Sequence, residues 1–248
     1  MNFKKIAIIS ITLNVVFLLF GGYFIYSKGG ISFITNKVSS SFASNSNDKK
    51  EEFSPAHKVR ASVFKNAKPV DTENSVVFFG DSLTDNNEWG EAFPNVKTYN
   101  RGIGGDTTVG VLDRLDQVIS LKPSKIFLMV GINDLSAKTP KEEVLKNYSS
   151  ILQKITSELP NTKIFIQSML PIMDVPELSN ISNNDIDWMN KELKKIATEK
   201  GYTFISLHPL FTDEKGELKK DLNVDGLHLN GKGYKVWENQ IKNHVINK

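Results

Sequence analysis

The sequence predicts an α/β fold, a three-layer α/β/α sandwich in which a parallel sheet carries helices on both faces. Two features predict it. Short apolar runs alternate along the chain with longer amphipathic stretches, the order that builds strand-helix-strand units. Several of these runs are also apolar at every position, as strands covered on both faces must be. With 248 residues, 40% of them hydrophobic and 24% charged, the chain is long enough for one such domain and an appendage.

The appendage comes first. From Ile6 to Ser27 no residue is charged, and the stretch is rich in Ile, Leu, Val and Phe. A helix needs about 20 apolar residues to span a bilayer, so this segment predicts one transmembrane helix. Lys4 and Lys5 precede it and hold the amino terminus in the cytoplasm, which places the rest of the chain outside. A cleaved secretory signal is the alternative. Its apolar region is shorter, about 7 to 15 residues, and ends in a small-x-small site that is missing around 23–28. The chain has no cysteine, hence no disulfide and no lipid-modified thiol, so the helix itself is the expected anchor of a bacterial, single-pass membrane protein. Residues 29–58, with Ser39-Ser40-Ser41 and Asn45-Ser46-Asn47-Asp48-Lys49-Lys50, hold little to bury and read as a flexible tether. The predicted organisation is therefore an anchor over 1–28, a tether over 29–58 and a catalytic domain over 59–248.

In the domain, a short helix over 59–65 leads in. Strands are predicted at 76–79, 97–99, 125–130, 163–168 and 202–206, each short, β-branched or aromatic, and bounded by turn formers. Helical patterns occupy 107–120, 141–158, 183–200 and 231–246. The second of these opens after Pro140 with Glu142 and Glu143 in its first turn, where acidic groups suit the positive end of the helix dipole. In a parallel sheet of this kind ligands bind beyond the carboxyl ends of the strands.

The residues at the carboxyl end of each strand are therefore the candidates for chemistry. After the first strand comes Gly80-Asp81-Ser82-Leu83, which sets a serine at the strand tip; alone, the string fits an ordinary turn as well as a nucleophile. After the second comes Asn100-Arg101-Gly102-Ile103-Gly104-Gly105-Asp106-Thr107-Thr108, a glycine-rich loop opening a helix, with Asp106 placed to cap it. Its free N–H groups suit negative charge, and without the lysine and hydroxyl of a Walker motif they read as oxyanion donors rather than a nucleotide cradle. The third strand ends at Asn133, whose amide either donates to an oxyanion or caps the turn. Before the last helix lies Asp225-Gly226-Leu227-His228, a carboxylate three residues ahead of a histidine. Such a pair can hold an imidazole in the tautomer of a general base, and by itself also fits a solvated surface loop.

Taken together and in this order, the four segments resemble the SGNH/GDSL hydrolase superfamily. The Gly102-Ile103-Gly104-Gly105-Asp106 loop is especially similar to the bacterial relatives of the platelet-activating-factor acetylhydrolase catalytic subunits. The resemblance runs from about Ser75 to the carboxyl terminus. It implies a flavodoxin-like sheet of five strands in the order 2-1-3-4-5. It also implies Ser82 as nucleophile, Asp225 and His228 as its triad partners, and an oxyanion hole made by Ser82, Gly105 and Asn133. The sequence departs from the family pattern at His208, after the fifth strand, where an acidic residue is common. His208 competes for the base role, but only His228 has an aspartate three residues earlier, and Pro209 marks a rigid turn at His208. His57 and His244 are expected on the surface.

The expected activity is hydrolysis of short acyl esters of an envelope glycan or lipid through an acyl-serine, with no cofactor and no metal. An acyltransferase using the same serine, and a tethered carbohydrate-binding module without catalysis, are the alternatives. A net charge of +3 with lysines spread along the chain gives no footprint for nucleic acid.

Overall fold

The computed structural model describes Tyr23, Ser27, residues 53–67, Thr72 and residues 74–247. The chain divides into two units, Met1–Lys50 and Glu51–Lys248, and the α/β fold belongs to the second. Apart from Tyr23 and Ser27, the anchor over 1–28 lies outside the described residues, as does the tether up to residue 52. Among the described residues no helix is long and apolar enough to cross a membrane.

The lead-in helix, α1 (Pro55–Asn66), starts four residues before the predicted position because Ser54 caps it and Pro55 suits its first turn. Next come β1 (Val76–Gly80), the single turns α2 (Ser82–Asp85) and α3 (Trp89–Ala92), and β2 (Thr98–Gly102). After these lie α4 (Thr108–Asp113), α5 (Asp116–Ile119), β3 (Lys125–Met129) and α6 (Ile132–Ser136). The chain continues through α7 (Lys141–Glu158), β4 (Lys163–Gln167), α8 (Asn183–Lys200) and β5 (Thr203–Ile205). It closes with α9 (His208–Phe211) and α10 (Gly231–Ile246).

All strand pairs are parallel and the order is β2-β1-β3-β4-β5. Successive side chains of a strand point to opposite faces, and here each face is covered. Val77, Phe79, Ile126, Leu128, Ile164 and Ile166 pack with residues of α4, α5, α7 and α8. Val76, Phe78, Phe127, Met129 and Phe165 pack on the other side with Trp89 of α3, Phe211 of α9 and Trp237 of α10. On that face Phe78 stacks on Trp89 at 3.8 Å and Phe127 on Phe165 at 4.5 Å between ring centres, and such pairs add roughly 0.5–1.5 kcal/mol each beyond area burial.

The predicted helix over 107–120 is two helices instead. The break coincides with Arg114, whose guanidinium turns into the core and donates to Asp106, Arg101 and Gly80. β2 runs on to Gly102 because its register matches Arg101 and Gly102 to Phe79 and Gly80 of β1.

Candidate active site

The turn after β1 presents Ser82. Asp81 is the N-cap of α2, and its Oδ1 accepts the Leu83 N–H at 3.0 Å, so the serine opens the helix with its side chain outward and half-buried. Gly80 is needed for close approach rather than for a special φ. A Cβ there would lie 2.1 Å from the Met129 carbonyl oxygen of the neighbouring strand.

The loop before α10 supplies the partners. His228 Nε2 stands 2.9 Å from Ser82 Oγ, and its Nδ1 stands 2.7 Å from Asp225 Oδ2. Asp225 Oδ1 also accepts the backbone N–H groups of His228 (2.7 Å) and Leu227 (3.0 Å). Partial burial pushes this carboxyl up, but the hydrogen bonds from His228 and Leu227 outweigh it and hold it below the usual carboxylate range. An ionised Asp225 fixes the proton of a neutral imidazole on Nδ1 and leaves the Nε2 lone pair toward Ser82. The loop is itself pinned: Met173 N–H donates to Gly226 O, and Val224 N–H to His228 O, each at 2.9 Å. The Tyr234 hydroxyl of α10 donates to Leu83 O at 2.9 Å, which ties the helix after the histidine loop to the serine turn.

The glycine-rich loop lies against the serine. A Cβ on Gly104 would stand 4.0 Å from Ser82 Cβ, and Gly105 next to it adopts φ +78°. Asn133, in the first turn of α6, donates through Nδ2 to the Asp106 carbonyl at 2.8 Å, which joins it to the same loop and leaves its other amide hydrogen. The structure thus brings Ser82, His228 and Asp225 into one hydrogen-bonded line, with Gly105 and Asn133 meeting at the adjoining loop.

Three sequence expectations change. Asp106 is not the cap of α4; Thr107 is, accepting the Gly110 N–H. Asp106 is instead buried and receives Arg114 Nε at 2.6 Å. His57 is not on the surface: it is 5% exposed, with Nδ1 3.0 Å from Asp106 Oδ1. The turn at His208 is the short helix α9 with Pro209 in its first turn. His208 is engaged away from Ser82, with Nδ1 3.2 Å from Thr212 Oγ1 and Nε2 3.4 Å from Asp187 Oδ1. Burial lowers its pKa, against the pull of Asp187. His244 is exposed, as expected.

Sequence reasoning passes over the charges beneath the site. Burial pushes the Asp81 carboxyl up to about 7; the Leu83 N–H pulls the other way, and Asp106 and Asp134 add to the rise. Asp134 is buried too, and takes the Thr108 hydroxyl at 2.5 Å and the Thr108 N–H at 2.9 Å, anchoring the start of α4. The only signal in the sequence is that each lies just past a strand end or a glycine turn. Among the described residues no three His, Cys, Asp or Glu side chains gather as ligands for a metal ion.

The profile of the GDSL-like lipase/acylhydrolase family matches residues 78–236. The human platelet-activating factor acetylhydrolase IB subunit alpha2 is 32% identical over 171 residues, covering 66% of this chain and 72% of that protein. The rat alpha1 subunit is 30% identical over 173 residues, with the same coverage. Among solved structures, a GDSL-like lipase from Bacteroides thetaiotaomicron is similar with a TM-score of 0.64 and 25% identity, covering 76% of this chain and 96% of that one.

Proposed function

The chain belongs to the GDSL-like lipase/acylhydrolase family, and on that premise we propose that it is a serine esterase in which Ser82 attacks the acyl carbonyl and His228 receives its proton. The observation that carries this reading is the line from Ser82 Oγ through both ring nitrogens of His228 to the Asp225 carboxylate, at 2.9 and 2.7 Å. As the tetrahedral intermediate forms, its oxyanion takes N–H groups from Ser82, Gly105 and the free amide hydrogen of Asn133. His228, now charged and steadied by Asp225, returns the proton to the leaving alcohol. Water then repeats the sequence on the acyl-serine and releases the acid.

The substrate we propose is a short acyl ester, acetyl above all, on a bulky alcohol such as an envelope glycan or lipid. Support comes from the surroundings of the nucleophile: Gly104, Gly105, Val224 and Asp225 are exposed, so the alcohol side is open to a large group. The relatives named as platelet-activating factor acetylhydrolases suggest a small acyl group. We place the enzyme outside the cytoplasm on an amino-terminal anchor because of the uncharged run from Ile6 to Ser27.

The test is turnover of p-nitrophenyl esters of increasing chain length by the full-length protein, beside its Ser82→Ala variant. Acetyl and butyryl esters should be cleaved fastest, and Ser82→Ala should lose at least about a thousandfold. A preference for long chains contradicts the short-acyl reading, and unimpaired turnover in Ser82→Ala contradicts the nucleophile. Full-length protein that fractionates with soluble contents contradicts the anchor.

A further inference from the structure

We infer that His57 is a positioning residue for the oxyanion loop: through Asp106, the lead-in helix α1 holds the Gly104–Gly105 backbone and Asn133 in their working arrangement. The inference rests on the proposed esterase activity only for its catalytic consequence.

Asp106 is the pivot. It comes directly after Gly105, its N–H returns to Ile103 O at 3.1 Å, and its carbonyl accepts Asn133 Nδ2 at 2.8 Å. Both oxyanion donors outside the serine turn are therefore one bond from this residue, Gly105 by the peptide link and Asn133 by hydrogen bond. Its side chain is clamped from two directions. Arg114 Nε meets Oδ2 at 2.6 Å, while the same guanidinium donates to the carbonyls of Arg101 and Gly80, each at 2.8 Å. Arg114 thereby ties Asp106 to the ends of β1 and β2. The second contact is that of His57 Nδ1 with Oδ1, 3.0 Å apart but off the line of a hydrogen bond, and it comes from a helix outside the family-matched residues 78–236.

Two further features show that α1 is built around this contact. Gly110, inside α4, leaves the space the pair fills: a Cβ there would stand 2.0 Å from Asp106 Oδ1 and 3.3 Å from His57 Cε1. A glycine within a helix is disfavoured against alanine, so the gap has to be required by what occupies it. The rest of α1 is lightly held, with Val59 and Val63 exposed at 62% and 55%. Its other contacts include the buried Phe64 beneath the guanidinium groups of Arg60 and Arg101, the half-exposed Arg60 to Asp85 pair, Gln117 donating to Ala61 O, and Phe53 stacked on the His57 ring at 4.2 Å. His57 is the one buried polar side chain that α1 contributes among its described residues, and it is directed at the loop that serves the oxyanion.

The experiment uses the full-length chain with His57→Ala, His57→Asn and Phe64→Ala. Measured for each are kcat and KM on p-nitrophenyl acetate, the melting temperature, and amide hydrogen exchange over residues 103–107. Asparagine places an N–H near the position of Nδ1, whereas Phe64→Ala loosens α1 without touching Asp106. His57→Ala should lose about tenfold or more in kcat with KM within about twofold, and His57→Asn should recover to within about threefold of wild type. Exchange over 103–107 should rise in His57→Ala, while Phe64→Ala lowers the melting temperature and leaves both kcat and that exchange near wild type. If Phe64→Ala loses as much kcat as His57→Ala for the same drop in melting temperature, His57 is merely structural and the inference is overturned. Unchanged kcat and exchange in His57→Ala overturn it as well. A wild-type chain that cleaves no ester sinks the esterase reading instead, and exchange over 103–107 then decides the positioning role on its own.

Discussion

Asp225→Asn isolates what the carboxylate does for His228. The wild-type side chain uses Oδ1 for two backbone N–H groups, from His228 and Leu227, and Oδ2 for the imidazole Nδ1. Asparagine has one oxygen, and the two backbone donors hold it in place. Its NH2 then faces Nδ1, which must become an acceptor, and the ring proton moves to Nε2. An Nε2–H donates to Ser82 Oγ and cannot take its proton. Loss of the correct tautomer is worth about 10³- to 10⁴-fold in kcat, or roughly 4–5.5 kcal/mol at about 1.36 kcal/mol per tenfold. Asp225→Ala should be the milder change. His228 is 30% exposed at its side chain, so water can accept the Nδ1 proton once the carboxylate is gone and restore the working tautomer in part. The assay is kcat and KM for p-nitrophenyl acetate with melting curves for all three proteins. KM and melting temperature should stay near wild type. An Asp225→Asn enzyme within about tenfold of wild type, or one more active than Asp225→Ala, refutes this account of the carboxylate.

The same geometry sets other outcomes. On the proposed role of Asn133 as an oxyanion donor, which would act mainly in the transition state, Asn133→Ala should cost about 10²- to 10³-fold in kcat with little change in KM; a rise in KM at constant kcat contradicts that role. His208→Ala should keep kcat within several-fold of wild type, since its ring hydrogen-bonds Thr212 and faces Asp187 at 3.4 Å; an inactive His208→Ala beside a tolerated His228→Ala would move the base to His208. Asp81 has a folded pKa raised to about 7, so the folded state binds more protons than the unfolded chain between about pH 4 and 7, and stability from this group falls as pH rises through that window. The melting temperature of Asp81→Asn should therefore gain on wild type between those values, and a pH-independent gap contradicts the shift.

How much of the fold is legible in the chain depends on how local its causes are. Helices 141–158, 183–200 and 231–246 match the structure to the residue, because Glu142 and Glu143, the left-handed Gly201 and the Asn230 cap act within a turn of the ends they set. β2 and the helix over 107–120 do not, because their limits depend on partners. β2 extends only as far as β1 pairs with it, and the helix breaks where Arg114 reaches carbonyls on two strands. The site divides the same way. Ser82, Asn133, Asp225 and His228 stand at strand ends or beside helix starts, where parallel-sheet topology directs attention. His57 has no such signal. Its partner Asp106 is remote in sequence, and a histidine beside a polar stretch looks like any surface residue until the fold buries it. Asp106 misleads for a related reason: an aspartate before a helix fits a cap locally, and only Arg114 and His57 draw its side chain inward.

The central claim is that Ser82 is a nucleophile activated by His228, and the most direct measurement is active-site labelling of the full-length protein with a fluorophosphonate, then peptide mapping. One adduct should form, on Ser82, absent from Ser82→Ala and slowed by at least about a hundredfold in His228→Ala. An adduct on another serine, or labelling of Ser82 at the wild-type rate when His228 is gone, would contradict it.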